Sequence, residues 1–310
     1  MEEKASPLNL PSAYALGMKQ QPGYKWWKPI VAALLAFALM IGFTVVLTII
    51  YVVAVVVLTG STDVTQLSAY LLGTDDSSTG SYLNFDGDDA LSLAFTLGCT
   101  ALMLPSVGLA NKIMGLGGFG RLSSVEGKLR WGRIAALAPW ALLVAALMCA
   151  IELGLAVATG ENLGTPRFAL AAIIVVIIIC PLQCAAEEYL CRGFLMQTFS
   201  SWIPMVVIPL ILQAIIFTLM HGYSILGLIG VGITGLIAGY LTLKTGGLEA
   251  GICLHSANNV LSFMLSAIFP AMETQSTIDI TSFVLDLIIN VLFLVVLYVV
   301  CKRKGYLLAD

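Results

Sequence analysis

The sequence predicts an all-α membrane protein, a polytopic bundle of about eight transmembrane helices. Three observations carry that prediction. Of 310 residues, 59% are hydrophobic and 11% are charged, whereas a soluble domain carries about 25% charged residues. Mean hydropathy is +0.97. Eight apolar runs recur along the chain, each long enough to cross about 30 Å of hydrocarbon at about 1.5 Å per residue.

Composition also limits the function classes. A net charge of −3 gives no footing for nucleic acid. The seven cysteines show neither a CxxC pair nor a Cys/His zinc spacing. They read as small buried hydrophobes.

Residues 1–28 form a polar tail with Pro7, Pro11, Pro22 and Gly23, expected to be mostly disordered. The tail is too long and polar for a signal n-region, and the apolar run after it is too long for an h-region. Lys25, Trp26, Trp27 and Lys28 end it as an interfacial anchor. Spans are expected near 29–58, 90–110, 134–158, 168–198, 204–222, 224–243, 248–270 and 278–301. The first is long and is expected to tilt. The 59–89 segment carries Asp63, Asp75, Asp76, Asp86, Asp88 and Asp89 and no base, and reads as a solvated outer loop without EF-hand spacing. The 111–133 segment, with Gly115, Gly117, Gly118, Gly120 and several bases, reads as a linker on the membrane surface.

The bases fix the topology. With the N-terminus inside, 14 of the 15 Lys and Arg fall in cytoplasmic segments, Arg167 being the exception. Eight spans then place both termini in the cytoplasm. The chain divides into the tail 1–28, an N-terminal membrane unit 29–160, a catalytic core 161–301 and a cytoplasmic tail 302–310. Intramembrane ionisable residues concentrate in the third of these.

There, Glu187-Glu188-Tyr189-Leu190-Cys191-Arg192 sits between two apolar runs. A charge at mid-bilayer costs roughly 2.5–3.5 kcal/mol on insertion scales, so such groups are rarely idle. Glu188 and Arg192 are four residues apart and share a helical face, where they can pair. Glu187 lies about 100° around the helix and has no local cation. It is the candidate catalytic group. The chain's two histidines also fall in apolar segments, as Phe217-x-x-x-His221 and His255-x-x-x-Asn259. Each motif sets its two side chains on one face.

The chemistry of this set is coherent. A carboxyl in a low-dielectric pocket is disfavoured as an anion, which suits a general base acting on water. One imidazole can share the water proton or pass it to a leaving amine. The second, with a carboxamide, can donate hydrogen bonds to a developing oxyanion. Gly235 and Gly239 form GxxxG, a close-packing signal that would draw the His221 and His255 helices together, and Gly251 fits the same purpose.

These residues resemble the CPBP family of intramembrane proteases, which includes type II CAAX prenyl endopeptidases and bacterial Abi proteins. The family pattern EExxxR, FxxxH, HxxxN stands here as Glu187-Glu188-x-x-x-Arg192, Phe217-x-x-x-His221 and His255-x-x-x-Asn259. The resemblance implies an endopeptidase whose site lies within the bilayer. It implies Glu187 and His221 activating water, His255 and Asn259 forming the oxyanion site, and Glu188, Arg192 and Phe217 in support. No cofactor is expected. The alternative is a divalent metal such as zinc on Glu187, His221 and His255, although HExxH is absent. The implied partners are membrane lipid and a peptide or protein substrate, lipidated or membrane-embedded. For the three groups to meet, Glu187 must be mid-helix and the 221–224 turn must dip into the bilayer. Two competing readings use the same residues differently: a proton-coupled carrier that also employs Glu152 and Asp286, and a non-catalytic membrane adaptor.

Overall fold

The computed structural model describes residues 12–60, 90–161, 163–166, 168–269 and 280–308. The acidic loop and Arg167 lie outside the described residues. The described residues are 78% helical. Among them, seven helices are long and apolar enough to cross a membrane, making this an integral, multi-pass all-α protein.

Helix α1, Lys28–Thr59, begins with Pro29 in its first turn and stops at Gly60, whose φ of 68° caps it in the left-handed region. A single span over Ala90–Ile113 is broken at Leu102 into α2, Ala90–Ala101, and α3, Met103–Ile113. The short α4, Gly118–Ser123, lies in the linker. Helix α5, Trp131–Thr159, is closed by Gly160 at φ 73°. Helix α6, Leu170–Glu188, runs into a π-helical turn, Tyr189–Leu195, and on into α7, Met196–Trp202. These three form one 33-residue span. It places Glu187 and Glu188 mid-span, as the motif chemistry requires. π-Turns are rare and cluster at functional sites.

Helix α8, Val207–Leu219, differs from the expected crossing. Its 13 residues reach only about 20 Å at about 1.5 Å per residue, short of a bilayer. The chain then turns and returns as α9, Ile225–Thr245. Helices α10, Glu249–Ile268, and α11, Ile280–Arg303, complete the bundle.

Three apolar clusters hold it together. One joins α5, α9, α10 and α11 through Leu137, Leu241, Leu254 and Phe293. A second joins α2 to α6 through Leu93, Leu97, Val176 and Cys180. The third corrects the expectation of a disordered tail. Residues 12–27 are folded, with Tyr14, Ala15 and Met18 buried against Leu122, Phe194 and Met196. Tyr14 donates to the Leu122 carbonyl at 2.5 Å, Tyr24 to Ser201 at 2.8 Å, and Trp202 to the Trp26 carbonyl at 2.9 Å. Polar composition hid a segment that buries only a few side chains but satisfies much of its backbone in its own turns.

The linker before α5, the α9–α10 turn and the segment after α11 meet at one end of the bundle. Val125 N donates to the Gly246 carbonyl and Leu308 N to the Lys244 carbonyl. Arg133 donates to the carbonyls of Thr245 and Tyr306.

Candidate active site

The site forms where α6 and its π-turn, the α8–α9 turn and α10 converge. Glu188 and Arg192 are wholly buried and pair at 2.8 Å, Arg192 Nη1 to Glu188 Oε1. The same carboxylate oxygen lies 3.0 Å from His255 Nδ1. A carboxylate can only accept here, so Nδ1 carries the proton and donates it. His255 Nε2 then points at Glu187 Oε2, 3.5 Å away. Glu187 Oε2 has no hydrogen-bond partner, whereas Oε1 accepts from Gln183 Nε2.

Phe217 packs all of this together. Its ring lies edge-on to His255 at 5.6 Å and to His221 at 4.8 Å between centroids, and Arg192 Cζ stands 4.1 Å from its centre. The contact with Arg192 is a cation–π interaction that helps keep a desolvated guanidinium in place. The Phe217 carbonyl, near the end of α8, accepts from His221 Nδ1 at 2.8 Å. That bond fixes the tautomer and leaves His221 Nε2 as an acceptor. His221 also stacks on Tyr223, with centroids 5.8 Å apart and planes 27° apart. The charge of Glu187 acts on both His221 and Tyr223. The end of the short α8, where Phe217 packs on both imidazoles, is what lets these groups meet.

Thus Glu187, Glu188, Arg192, Phe217, His221 and His255 form one cluster. Asn259 stands one turn beyond His255 on α10, where its Oδ1 accepts from Asn258 Nδ2 at 3.3 Å. It makes no described contact with the cluster.

Glycines make the close approach possible. A Cβ at Gly251 would stand 2.6 Å from Glu188 Oε2, and one at Gly235 would stand 3.3 Å from Arg192 Nη2. Gly239 admits Leu210 and Gln213 of α8, so the GxxxG face packs α9 on α8.

Among the described residues no group of three or more His, Cys, Asp or Glu converges as a metal site. The other two intramembrane acids lie elsewhere. Asp286 accepts from Asn290 at 3.1 Å, and Thr234 of α9 donates to Asn290 at 2.8 Å. The charge of Asp286 acts on Glu152.

Sequence reasoning missed Gln183. Its signal was present: a polar residue inside an apolar run, four before Glu187. It also missed the buried pair Arg130–Glu249, closed at 2.6 Å, because these partners are far apart in the chain and only the fold brings them together.

Residues 166–261 match a family model described as Type II CAAX prenyl endopeptidase Rce1-like. That stretch contains every residue of the cluster. The chain is also 28% identical over 173 residues to the uncharacterized protein YyaK of Bacillus subtilis (strain 168). The match covers 52% of this chain and 56% of YyaK, so the chain spans about half the length of the curated relative it matches. No solved structure matches.

Proposed function

We propose, on the premise that residues 166–261 form a type II CAAX prenyl endopeptidase Rce1-like domain, that the protein hydrolyses a peptide bond within the bilayer with water activated by Glu187. The observation that carries this reading is a Glu187 oxygen without a hydrogen bond beside His255 Nε2, with both imidazoles packed on the Phe217 ring. His221 presents a bare Nε2 and His255 presents Nε2 towards Glu187.

A water held by Glu187 Oε2 and His221 Nε2 gives its proton to the carboxylate as its oxygen adds to the scissile carbonyl carbon. The carbonyl π electrons move onto the oxygen. That oxyanion needs donors, and His255 can supply one only when Nε2 is also protonated. Glu188 accepts from His255 Nδ1 and so turns Nε2 towards the reaction site beside Glu187. The Asn259 amide is the second donor, as the family resemblance assigns it. The tetrahedral intermediate then expels the amine as the C–N bond breaks. The proton held by Glu187 passes to the amine nitrogen, leaving a carboxyl product and regenerating the base. No step is routed through a metal.

The substrate is a peptide reached from the membrane, of CAAX type. The end of the bundle that holds Arg121, Lys128, Arg130, Arg133, Lys244 and Lys302 faces the cytoplasm under the positive-inside rule.

The test is turnover of a quenched fluorogenic CAAX peptide, with and without an isoprenoid, by the purified full-length chain. Glu187→Gln lowers turnover by about 10²–10⁴-fold, the usual contribution of a general base, with an unchanged thermal transition. Full turnover in that variant would refute the mechanism. Substrate flux in proteoliposomes without cleavage would favour a carrier instead. A cellular phenotype that survives Glu187→Gln would favour an adaptor.

A further inference from the structure

We infer that Gln183 is a positioning residue for Glu187: its amide holds one carboxylate oxygen and thereby presents the other to the reaction. The inference rests on the reading of Glu187 as the base.

Gln183 lies on α6, one turn before Glu187, and is 8% exposed. Its Nε2 donates to Glu187 Oε1, and its Oε1 accepts from Cys184 Sγ at 3.4 Å. The two partners fix the amide orientation. A flipped amide would set its oxygen against a carboxylate and its NH2 against a thiol. Glu187 Oε2, in contrast, receives no hydrogen bond and lies 3.5 Å from His255 Nε2. The carboxylate is therefore divided into an anchored oxygen and an available one.

The choice of donor matters as much as its place. The nearby guanidinium, Arg192, is committed to Glu188. Glu187 is held by a neutral amide instead. Charge-assisted hydrogen bonds are roughly twice as strong as neutral ones, and an arginine in place of Gln183 would hold the anion so firmly that it would abstract protons poorly. An apolar residue would leave the carboxylate free to rotate and would favour its neutral form. The amide lies between these extremes. It orients the base and supports its anion while leaving it reactive.

The test compares Gln183→Leu and Gln183→Glu with the wild-type full-length chain. Gln183→Leu lowers kcat at least tenfold with KM changed less than about threefold, because the lost bond acts on the base and not on substrate binding. The acidic limb of its pH–rate profile moves to higher pH by about one unit, the equivalent of that tenfold change. Gln183→Glu moves it further, since two adjacent carboxylates then share a proton. A limb that stays in place, with activity falling only in step with the thermal transition, would reduce Gln183 to a structural residue. If Gln183→Leu does not fold, Gln183→Met carries the same comparison. Infrared titration of the Glu187 carboxyl band, assigned by its loss in Glu187→Gln, separates the two readings. A band that titrates at higher pH in Gln183→Leu supports the contact even if Glu187→Gln keeps its turnover and the base assignment fails. A band that does not move overturns the contact itself.

Discussion

His255 Nδ1 stands 3.0 Å from Glu188 Oε1, the oxygen that Arg192 Nη1 also reaches at 2.8 Å. Glu188 is therefore more than the arginine's counter-ion. It couples a buried cation on the π-turn to the imidazole of another helix, and one carboxylate sets the ring's orientation. Glu188→Gln keeps an oxygen for His255 but leaves Arg192 without a counter-charge. Removing one partner of a buried pair destabilises by about 3–5 kcal/mol, so the thermal transition falls. The double variant Glu188→Leu, Arg192→Leu removes both charges and regains much of that stability. It does not regain turnover. Recovery of stability and turnover together would show that Glu188 serves only the ion pair.

Gly251 offers a sharper separation of stability from activity. In a helix interior, Gly→Ala ordinarily gains about 0.5–1 kcal/mol. Here the added Cβ would stand 2.6 Å from Glu188 Oε2 and 3.5 Å from the Ala238 Cβ. The carboxylate cannot swing aside without releasing both Arg192 and His255. Gly251→Ala is thus expected to lose turnover by tenfold or more while its helix propensity improves. Measured side by side, turnover should fall by far more than the thermal transition, whose loss the helix gain partly offsets. Unchanged kcat would mean that Glu188 moves freely and that its contact with His255 does not govern the reaction.

The three motifs were legible because each is a local relation. Glu188 to Arg192, Phe217 to His221 and His255 to Asn259 are all four residues apart, and a helix turns that spacing into one face. Their rarity in an apolar background did the rest. Helix spans were legible for the same reason, since bilayer thickness converts hydropathy into length. What escaped depended on contacts distant in sequence or on small departures from regularity. The short α8 reads as a span because its apolar run continues into the turn that carries His221. The π-turn after Glu188 leaves no mark in hydropathy. Residues 12–27 look unstructured until Leu122 and Met196 are placed beneath Tyr14 and Met18. Asn259 shares a helical face with His255, but shared facing did not bring its amide into described contact with the cluster.

Arg130 and Glu249 show how the far end of the bundle holds the site. Arg130 Nε and Nη2 meet Glu249 at 2.8 and 2.6 Å, its backbone N meets the same carboxylate at 2.9 Å, and Arg130 Nη2 lies where a Cβ at Gly247 would be 2.0 Å away. Burial opposes the charge on Arg130, but the bonds from Glu249 outweigh it and hold the guanidinium above its ordinary range. Glu249 opens α10, the helix that carries His255, and an acid there also suits the helix dipole. Arg130→Ala leaves Glu249 buried and unpaired, at about 3–5 kcal/mol. Arg130→Lys keeps the charge but not the bidentate fork and recovers only part of this. Thermal unfolding of the two variants in one detergent checks the order. Equal transitions for Ala and wild type would show that the pair contributes nothing.

Tyr14 gives a prediction with a definite sign in pH. The side chain is 1% exposed, and burial pushes its phenol well above the ordinary value of 10.0. Its hydroxyl donates to the Leu122 carbonyl at 2.5 Å, which ties residues 12–27 to the linker. Below pH 10.0 the phenol is neutral whether the segment is docked or released, so its contribution is fully present. As pH rises past 10.0 the released tyrosine ionises and the docked one does not, so the docked state binds the extra proton and loses stability. A nitroxide label on Lys19→Cys should therefore become more mobile in alkali. Tyr14→Phe removes the hydrogen bond, worth about 1 kcal/mol, and removes this source of pH dependence with it. Its label is expected to be somewhat more mobile at neutral pH and to show a much flatter alkaline response. A label that loosens equally in both proteins as pH rises would assign the transition to another group and leave Tyr14 as a packing residue alone.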